Sequence, residues 1–495
     1  MSKICILSEN SNGAWPNVHY RNLGASEVRR VFTALGHQCD LVEWFTHWSD
    51  DQLSEYICKF FGAVPDPVIA ISVPFMAVDV FKITSVLNQI KSQYPDLRII
   101  VGGNRFHEPG LDDIVDAFFI GRSMEMLVSW ISGECMSKFQ TAHDKVFLNT
   151  QIDLQQEPPV FGFYDDQDCL TPQDVLGIEI GVGCRFNCTF CNYDLRGLRN
   201  PSLASSELIA DFMQRVYDRY GVKHFYLADD TWNESIEKMQ TLVDAVESLS
   251  YQPVITAYAR LDLLGNPAQQ DLWRRLNPGS VFFGIETLTP AAAKHVRKSG
   301  QTDKLIEILK TLRTLTPDTY MSGSMIVGLN GDSEKDLWWG VQQIIEHKLL
   351  DAVNYVPLVI KQVEPTVLEE SYQSDLDRDP EKFGYTLGDA KTFGRGDVIK
   401  TTEWISDWCT RTQAEHLCVQ LTQCHELAGI SSMCGFEYLS LKSMNFAQTR
   451  ADSTGNVSQI LRKRAAGRAN YLKKQYIINK IHDLTDRKQN EKPMD

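Results

Sequence analysis

The sequence lacks several features, and each absence excludes a class of protein. No apolar run approaches the roughly 18 residues of a membrane span, so no membrane partner is expected. The N-terminus, Met-Ser-Lys-Ile-Cys, has the pattern of a strand and not of a signal peptide. The 12 cysteines form no framework of paired spacings, which indicates a reducing compartment and predicts a cytoplasmic protein. A net charge of −15 disfavours a generic polyanion binder such as a nucleic-acid protein.

The length and the charge distribution bound the organisation of the chain. With 495 residues and 43% hydrophobic content, the chain is too long for one core and suggests about three domains of an ordinary globular protein. Residues 456–495 carry a charge of +6 and the rest carries −21. Two interpretations of this basic tail are open: contact with RNA or another acidic partner, and the favoured one, a solvated helix face with a frayed terminus.

The most informative stretch is the loop at residues 181–193. Cys184, Cys188 and Cys191 follow the strand-like run Val175 to Ile180 at the spacing C-x3-C-x2-C. At the cysteine frequency of this chain, about 0.007 such matches are expected by accident. Three thiolates on one loop suit an iron–sulfur cluster in which one iron is left open to an outside ligand. Zinc is the alternative, but no histidine stands at zinc-finger spacing to supply a fourth ligand.

This loop resembles the signature of the radical S-adenosylmethionine (SAM) family. The resemblance implies a 4Fe–4S cluster whose open iron binds the amino and carboxylate groups of SAM, and whose electron cleaves SAM to a 5′-deoxyadenosyl radical. Phe190 fits the aromatic residue that the family places before the last cysteine, near the adenine. The resemblance also implies an external electron donor of flavodoxin or ferredoxin type.

Residues 1–135 alternate short apolar strands with helices, which predicts a Rossmann-like parallel sheet. Ligands of such sheets bind at the carboxyl ends of the strands. The candidate binding residues there are two groups of neighbours, Ser72 with Val73, and Gly102 with Gly103 and Asn104.

The segments SVPF, IVGGN and FIGRSMEML of this region resemble the cobalamin-binding domain that precedes the barrel in many radical SAM enzymes. The resemblance implies cobalamin as a further cofactor. The D-x-H-x-x-G motif, whose histidine ligates cobalt in other cobalamin proteins, is absent from the first loop, although enzymes of this class commonly hold cobalamin without it. The alternative is a vestigial domain that only packs on the rest of the protein.

Residues 136–172 have the composition of a linker, and residues 173–362 alternate strand and helix at a length that suits a partial (β/α)6 barrel of TIM type. The strand ends resemble those of the radical SAM barrel. Ala228, Asp229 and Asp230 occupy the place of the family's Gly-Gly-Glu motif, which contacts the SAM amino group. The other candidate cofactor-binding residues are Tyr258, Arg260, Glu286 at the end of strand four, and Gly328 in the adenine-side motif of strand five.

Residues 363–495 suggest a mainly helical C-terminal region with the basic tail. Cys409, Cys418, Cys424 and Cys434 are close in sequence but contain no C-x2-C pair. Buried free thiols are therefore favoured over a second cluster.

Together these features predict a cobalamin-dependent radical SAM enzyme that methylates an unactivated carbon. In the mechanism that the resemblance implies, the deoxyadenosyl radical abstracts a substrate hydrogen and the substrate radical takes methyl from methylcobalamin. The alternatives are a non-methylating rearrangement or oxidation, with or without cobalamin, and a non-catalytic cobalamin- or redox-responsive binding protein. A small molecule or a peptide is the expected substrate, but the sequence carries no code for its identity, and no catalytic residue is assigned.

Overall fold

The computed structural model describes most of the chain. The described residues are 2–9, 18–72, 80–103, 109–122, 124–143, 145–148, 159–193, 195–197, 202–361, 373–393, 399–444 and 457–490. They divide into two compact units. The first comprises Met1–Ile152, Val160–Gly177 and Ala466–Asp495, and the second comprises Asp153–Pro159 and Ile178–Ala465.

The first unit is built on a seven-stranded sheet with the order β2-β1-β3-β4-β5-β7-β6. Its strands are β1 (Lys3–Ser8), β2 (Gln38–Glu43), β3 (Pro67–Ser72), β4 (Arg98–Gly103), β5 (Ala117–Ile120), β6 (Gln140–His143) and β7 (Val146–Leu148). Its first helices are α1 (Leu23–Ala34), α2 (Asp50–Phe61), α3 (Val80–Gln93) and α4 (Met124–Ile131). All pairings are parallel except that of β6 with β7. The predicted Rossmann-like sheet is confirmed, because its strands are almost wholly buried and alternate with amphipathic helices.

Two features of this unit differ from the expectation. The stretch 136–172 is not simply a linker, since β6 and β7 extend the sheet beyond β5. The chain also returns to this unit at its end. Helix α14 (Val457–Asn490) belongs to it from Ala466 onward.

The basic tail does not present a solvated face throughout. Lys480 is fully buried and its ammonium lies 2.6 Å from Asp40 on β2, which is also fully buried. Tyr476 accepts a hydrogen bond from the backbone N–H of Glu43, and its ring and that of Trp44 each lie 4.6 Å from the guanidinium carbon of Arg21. The tail therefore contributes a buried cation, Lys480, to an ion pair and an aromatic ring, Tyr476, to a cation–π contact inside the protein.

The second unit contains the predicted partial barrel, which is confirmed as six parallel strands in the order β13-β12-β11-β10-β9-β8. These strands are β8 (Val175–Ile178), β9 (His224–Leu227), β10 (Val254–Ala259), β11 (Ser280–Glu286), β12 (Tyr320–Val327) and β13 (Ala352–Pro357). The helices between them are α5 (Ser206–Tyr220), α6 (Ile236–Glu247), α7 (Pro267–Leu276), α8 (Pro290–His295), α9 (Thr302–Leu315) and α10 (Glu334–His347). Most of these helices begin at a Ser or Asn cap, which ends each loop at a defined residue.

The C-terminal region is helical apart from one hairpin. Its elements are α11 (Asp375–Arg378), β14 (Thr386–Phe393), β15 (Ile399–Ile405), α12 (Arg411–Leu427) and α13 (Gly435–Ser443), with β14 and β15 antiparallel. Of the four cysteines of this region, Cys409, Cys418 and Cys434 are buried and Cys424 is half-buried. Burial raises the pKa of Cys409 to about 11 and of Cys418 and Cys434 to about 12, and free thiols in place of a second cluster stay a prediction. No helix in the described part of the chain is long and apolar enough to cross a membrane.

Candidate active site at the carboxyl edge of the barrel

The cysteine loop leaves the carboxyl end of β8 and folds back on itself through backbone hydrogen bonds. The N–H of Cys191 donates to the carbonyl of Cys188 at 3.1 Å, and the N–H of Cys184 donates to Leu195 at 3.0 Å. The pKa of the Cys191 thiol is raised to about 11, mainly by burial and also by the nearby Cys188, Asp230 and Cys184. The three predicted cluster cysteines therefore share one neighbourhood with a carboxylate of the β9 edge.

The donor set fits a cluster better than a single ion. Among the described residues, no three His, Cys, Asp or Glu side chains are close enough together to hold one metal ion. A 4Fe–4S cluster spreads its thiolates over different irons, so its ligands stand further apart than the ligands of one ion. Three soft sulfur donors on one loop match this requirement.

The two aspartates that follow β9 have different surroundings. Asp229 is 2% exposed, and its carboxylate accepts the N–H groups of Ile180 at 2.9 Å and Gly181 at 2.8 Å. Asp230 is exposed and lies near Cys184 and Cys191. The contact of Asp229 with the SAM amino group stays a prediction, and in this structure its carboxylate accepts backbone N–H groups. Of the predicted trio, Asp230 is the exposed carboxylate.

Arg260 contacts the cysteine loop directly. Its Nη1 lies 3.7 Å from Cys188 Sγ, and its guanidinium carbon lies 4.0 Å from the ring centroid of Phe186. Asp262 holds the other side of the guanidinium at 2.8 Å. The structure thus places the positive charge of Arg260, a predicted cofactor-binding residue, beside a predicted cluster thiol.

Glu286, at the end of β11, is buried in a strained conformation. Its φ of 69° is unusual for a residue other than glycine, and such outliers concentrate at functional sites. Burial raises the pKa of this carboxyl, and the Lys298 ammonium, 3.3 Å away, acts in the opposite direction. A Cβ at Gly284 would lie 2.6 Å from Glu286 Oε1, so glycine makes room for the carboxylate at the strand end.

Gly328 does not lie open to a cofactor. It has a φ of +103°, and a Cβ there would lie 2.1 Å from the Trp404 ring. Its carbonyl accepts a hydrogen bond from Tyr385 Oη at 3.1 Å. Gly328 thus packs beneath the indole of Trp404, and its contact with adenine stays a prediction.

The remaining predicted residues of this edge are at least partly accessible. Tyr258 is 36% exposed and packs on Phe436 with ring centroids 4.4 Å apart. Ala228 is exposed and Phe190 is half-buried.

In the first unit's sheet, the carboxyl ends of β3 and β4 carry small residues. Ser72, Gly102 and Gly103 are half-buried at the ends of β3 and β4. Asn22 Nδ2 donates to Ser72 Oγ at 3.4 Å. A Cβ at Gly102 would make only ordinary contact, with Phe119 O at 3.6 Å, so the strand backbone has room beside it. Small residues at this edge fit a large ligand that approaches the backbone closely. The predicted Val73 and Asn104 lie outside the described residues.

Two site residues were not predicted from the sequence. Glu234 accepts the N–H of Arg185 at 3.0 Å, and Lys238 bridges the carboxylates of Glu234 and Asp229. The only available signal was the Glu-x3-Lys spacing at the start of α6, which is also the spacing of a common surface ion pair.

Comparison with known proteins agrees with this site. The model of the radical SAM superfamily matches residues 178–339, which contain the cysteine loop and the strands from β9 through β12. The chain is 27% identical over 164 residues to the hopanoid C-2 methylase of Rhodopseudomonas palustris (strain TIE-1). The matched region covers 32% of this chain and 30% of that protein. It is 24% identical over 197 residues to the ribosomal protein uS12 methylthiotransferase RimO of Streptomyces coelicolor, covering 36% and 37%. The chain thus spans about a third of the length of these curated relatives.

Two solved structures share the fold over most of the chain. The radical SAM methyltransferase TsrM from Kitasatospora setae, with tryptophan and a SAM analogue bound, has a TM-score of 0.64 at 10% identity, and the match covers 93% of this chain and 99% of TsrM. The cobalamin-dependent SAM radical enzyme OxsB, with aqua-cobalamin bound, has a TM-score of 0.57 at 12% identity, covering 97% and 80%. At these identities the likeness shows a common fold.

A partial barrel whose carboxyl edge brings three cysteines together on one loop, two of them near an exposed carboxylate, is typical of an enzyme that carries an iron–sulfur cluster. The family match covers this same region, so the class can be named more closely: residues 178–339 match the radical SAM superfamily. The cofactors of that superfamily are a 4Fe–4S cluster and SAM.

Proposed function

We propose that this protein is a cobalamin-dependent radical SAM enzyme that methylates an unactivated carbon of a small-molecule or peptide substrate. The observation that carries the proposal is the likeness of fold to TsrM over 93% of the chain, which includes the N-terminal sheet as well as the barrel. TsrM is a radical SAM methyltransferase whose solved structures include one with cobalamin and the cluster bound.

The residues of each edge have separate tasks in this proposal. Cys184, Cys188 and Cys191 hold the cluster, and Asp230 meets the SAM ammonium group. Small residues at the ends of β3 and β4 leave space for cobalamin. When bound, the cluster and SAM supply a 5′-deoxyadenosyl radical, and cobalamin supplies a methyl group. The protein binds and orients these groups and excludes water from them.

A second candidate function is a non-methylating rearrangement or oxidation with the same cofactors. It is supported by the likeness of fold to OxsB, a cobalamin-dependent SAM radical enzyme.

Products derived from SAM distinguish the two candidates. The enzyme, purified anaerobically with cluster and hydroxocobalamin, is reduced and incubated with methyl-deuterated SAM and a low-molecular-mass metabolite extract. Carbon methylation with two molecules of SAM predicts 5′-deoxyadenosine and S-adenosylhomocysteine in roughly equal amounts, together with a deuterium-labelled product. Deoxyadenosine without S-adenosylhomocysteine or label would favour the second candidate and overturn the first.

A further inference from the structure

The carboxylate of Asp229 joins the ends of two neighbouring barrel strands. Asp229 follows β9, but it accepts the N–H groups of Ile180 and Gly181, where the chain leaves β8 toward the cysteine loop. Both distances are below 3 Å, and charge-assisted hydrogen bonds of this kind are the stronger ones in proteins. The start of the loop is therefore fixed to the neighbouring strand end.

Glu234 fixes the same loop on the other side of Cys184. Its Oε2 accepts the N–H of Arg185 at 3.0 Å, and Arg185 Nη1 donates to the carbonyl of Glu234 at 3.0 Å. Cys184 thus lies in a segment of six residues, from Ile180 to Arg185, whose two ends are each held by a carboxylate.

Lys238 connects these two carboxylates. Its ammonium lies 2.7 Å from Asp229 Oδ1 and 3.0 Å from Glu234 Oε1, and it donates to the Thr231 carbonyl at 3.2 Å. The three charged side chains are each at most 1% exposed. Two buried carboxylates without a cation between them would repel each other and lose solvation, so the Lys238 ammonium offsets this repulsion and holds the two side chains in place.

The residues around the triad of Asp229, Lys238 and Glu234 leave room for its ion pairs. A Cβ at Gly181 would lie 2.9 Å from Lys238 Cε and 2.8 Å from Leu203. Thr231, whose carbonyl accepts from Lys238, has its hydroxyl 3.8 Å from Cys184 Sγ. The ion network and the first cluster cysteine are therefore separated by a single residue.

We propose that Asp229, Lys238 and Glu234 are positioning residues that pre-order the cysteine loop for the cluster, so that Cys184 is held in place before the cluster binds. The proposal rests on the match to the radical SAM superfamily and is independent of whether the enzyme transfers methyl groups. Groups that hold metal ligands from behind usually change metal affinity by about 10- to 100-fold when they are removed.

The test compares two buried lysines. Lys238→Met removes the cation of the triad, and Lys480→Met makes the same change in the buried Lys480–Asp40 pair of the other unit. Each protein is loaded with its cluster anaerobically, and the loss of cluster absorbance under a ferrous chelator is followed beside thermal unfolding. We expect both variants to unfold at lower temperature, but only Lys238→Met to lose its cluster about 10- to 100-fold faster than the wild type.

A cluster lifetime in Lys238→Met equal to that of the wild type, or equally shortened in both variants, would overturn the proposal. If Lys238→Met does not fold, Glu234→Gln and Asp229→Asn serve in its place, because each keeps the shape of its side chain while removing the charge. The electron paramagnetic resonance spectrum of the reduced cluster is the second measurement. It should be altered in the triad variants and unchanged in Lys480→Met.

Discussion

The carboxyl edges of the two parallel sheets are built from different side chains. The barrel edge carries thiols and charge, with Asp230 beside the cysteines, Arg260 on Cys188 and the buried triad of Lys238 behind the loop. At the ends of β3 and β4 in the N-terminal sheet stand a serine and two glycines. The first edge is suited to a charged group held by direct bonds, and the second to a large group held by shape and backbone contact. Variants of one edge should therefore leave the cofactor of the other in place.

The largest effect is expected from removing a cluster thiol. Cys188→Ala leaves two thiolates on the loop, which is too few for the cluster, so we expect complete loss of cluster iron and of reductive SAM cleavage. Iron analysis and 5′-deoxyadenosine assays measure both losses. Cobalt content should stay at the wild-type level, and a parallel loss of cobalt would show that the edges are not independent.

Removing the carboxylate at the barrel edge should have the next largest effect. Asp230→Asn replaces a charged acceptor for the SAM ammonium group with a neutral one, and we expect SAM to bind about 10- to 100-fold more weakly. Anaerobic calorimetry on the cluster-loaded protein measures this affinity. Asp244→Asn, on the exposed face of α6, is the control. Equal affinities in wild type and Asp230→Asn would remove Asp230 from the SAM site.

Adding bulk at the small-residue edge should weaken cobalamin binding alone. Gly102→Leu is compatible with the fold, because a Cβ there meets only Phe119 O at 3.6 Å. A leucine at the strand end would overlap a cofactor lying on the backbone, so we expect about tenfold weaker retention of cobalamin. Gly467→Leu, in an exposed turn of α14 with open space around it, is the matched control. Iron content should be unchanged in both variants.

The smallest predicted effect concerns pH. Burial raises the pKa of Glu43, at the end of β2, from 4.5 to about 7, although Arg21 acts in the opposite direction. A carboxyl whose pKa is raised by folding contributes stability below its unfolded pKa and loses it as the pH rises through the folded value. Between pH 5 and 8 the Tm of the cofactor-free protein should therefore fall by a few degrees more than that of Glu43→Gln, as measured by calorimetry. Parallel curves would contradict this prediction.

Local patterns made much of the barrel predictable. The C-x3-C-x2-C spacing lies within eight residues, and the strand ends follow directly from apolar runs that the structure confirms. Long-range contacts were not accessible in the same way. Asp229 meets Ile180 across 49 residues, and nothing near Asp229 distinguishes this role from contact with a ligand.

The same limit applies elsewhere in the chain. Lys480 pairs with Asp40 across 440 residues, so the basic tail had the composition of a solvated helix although part of it is buried. Gly328 matched a family motif, but the indole that covers it comes from Trp404, 76 residues further along. The sequence showed which chemical groups these residues carry, but it did not show which distant residues they contact in the fold.

The central claim is that one chain holds both a cluster and cobalamin, and it is tested most directly by counting metals. The protein is purified anaerobically from cells grown with hydroxocobalamin, and iron and cobalt are measured per chain beside the ultraviolet–visible spectrum. We predict about four irons with near-stoichiometric cobalt. Iron without cobalt would contradict the two-cofactor account and leave a radical SAM enzyme whose N-terminal sheet has lost its ligand.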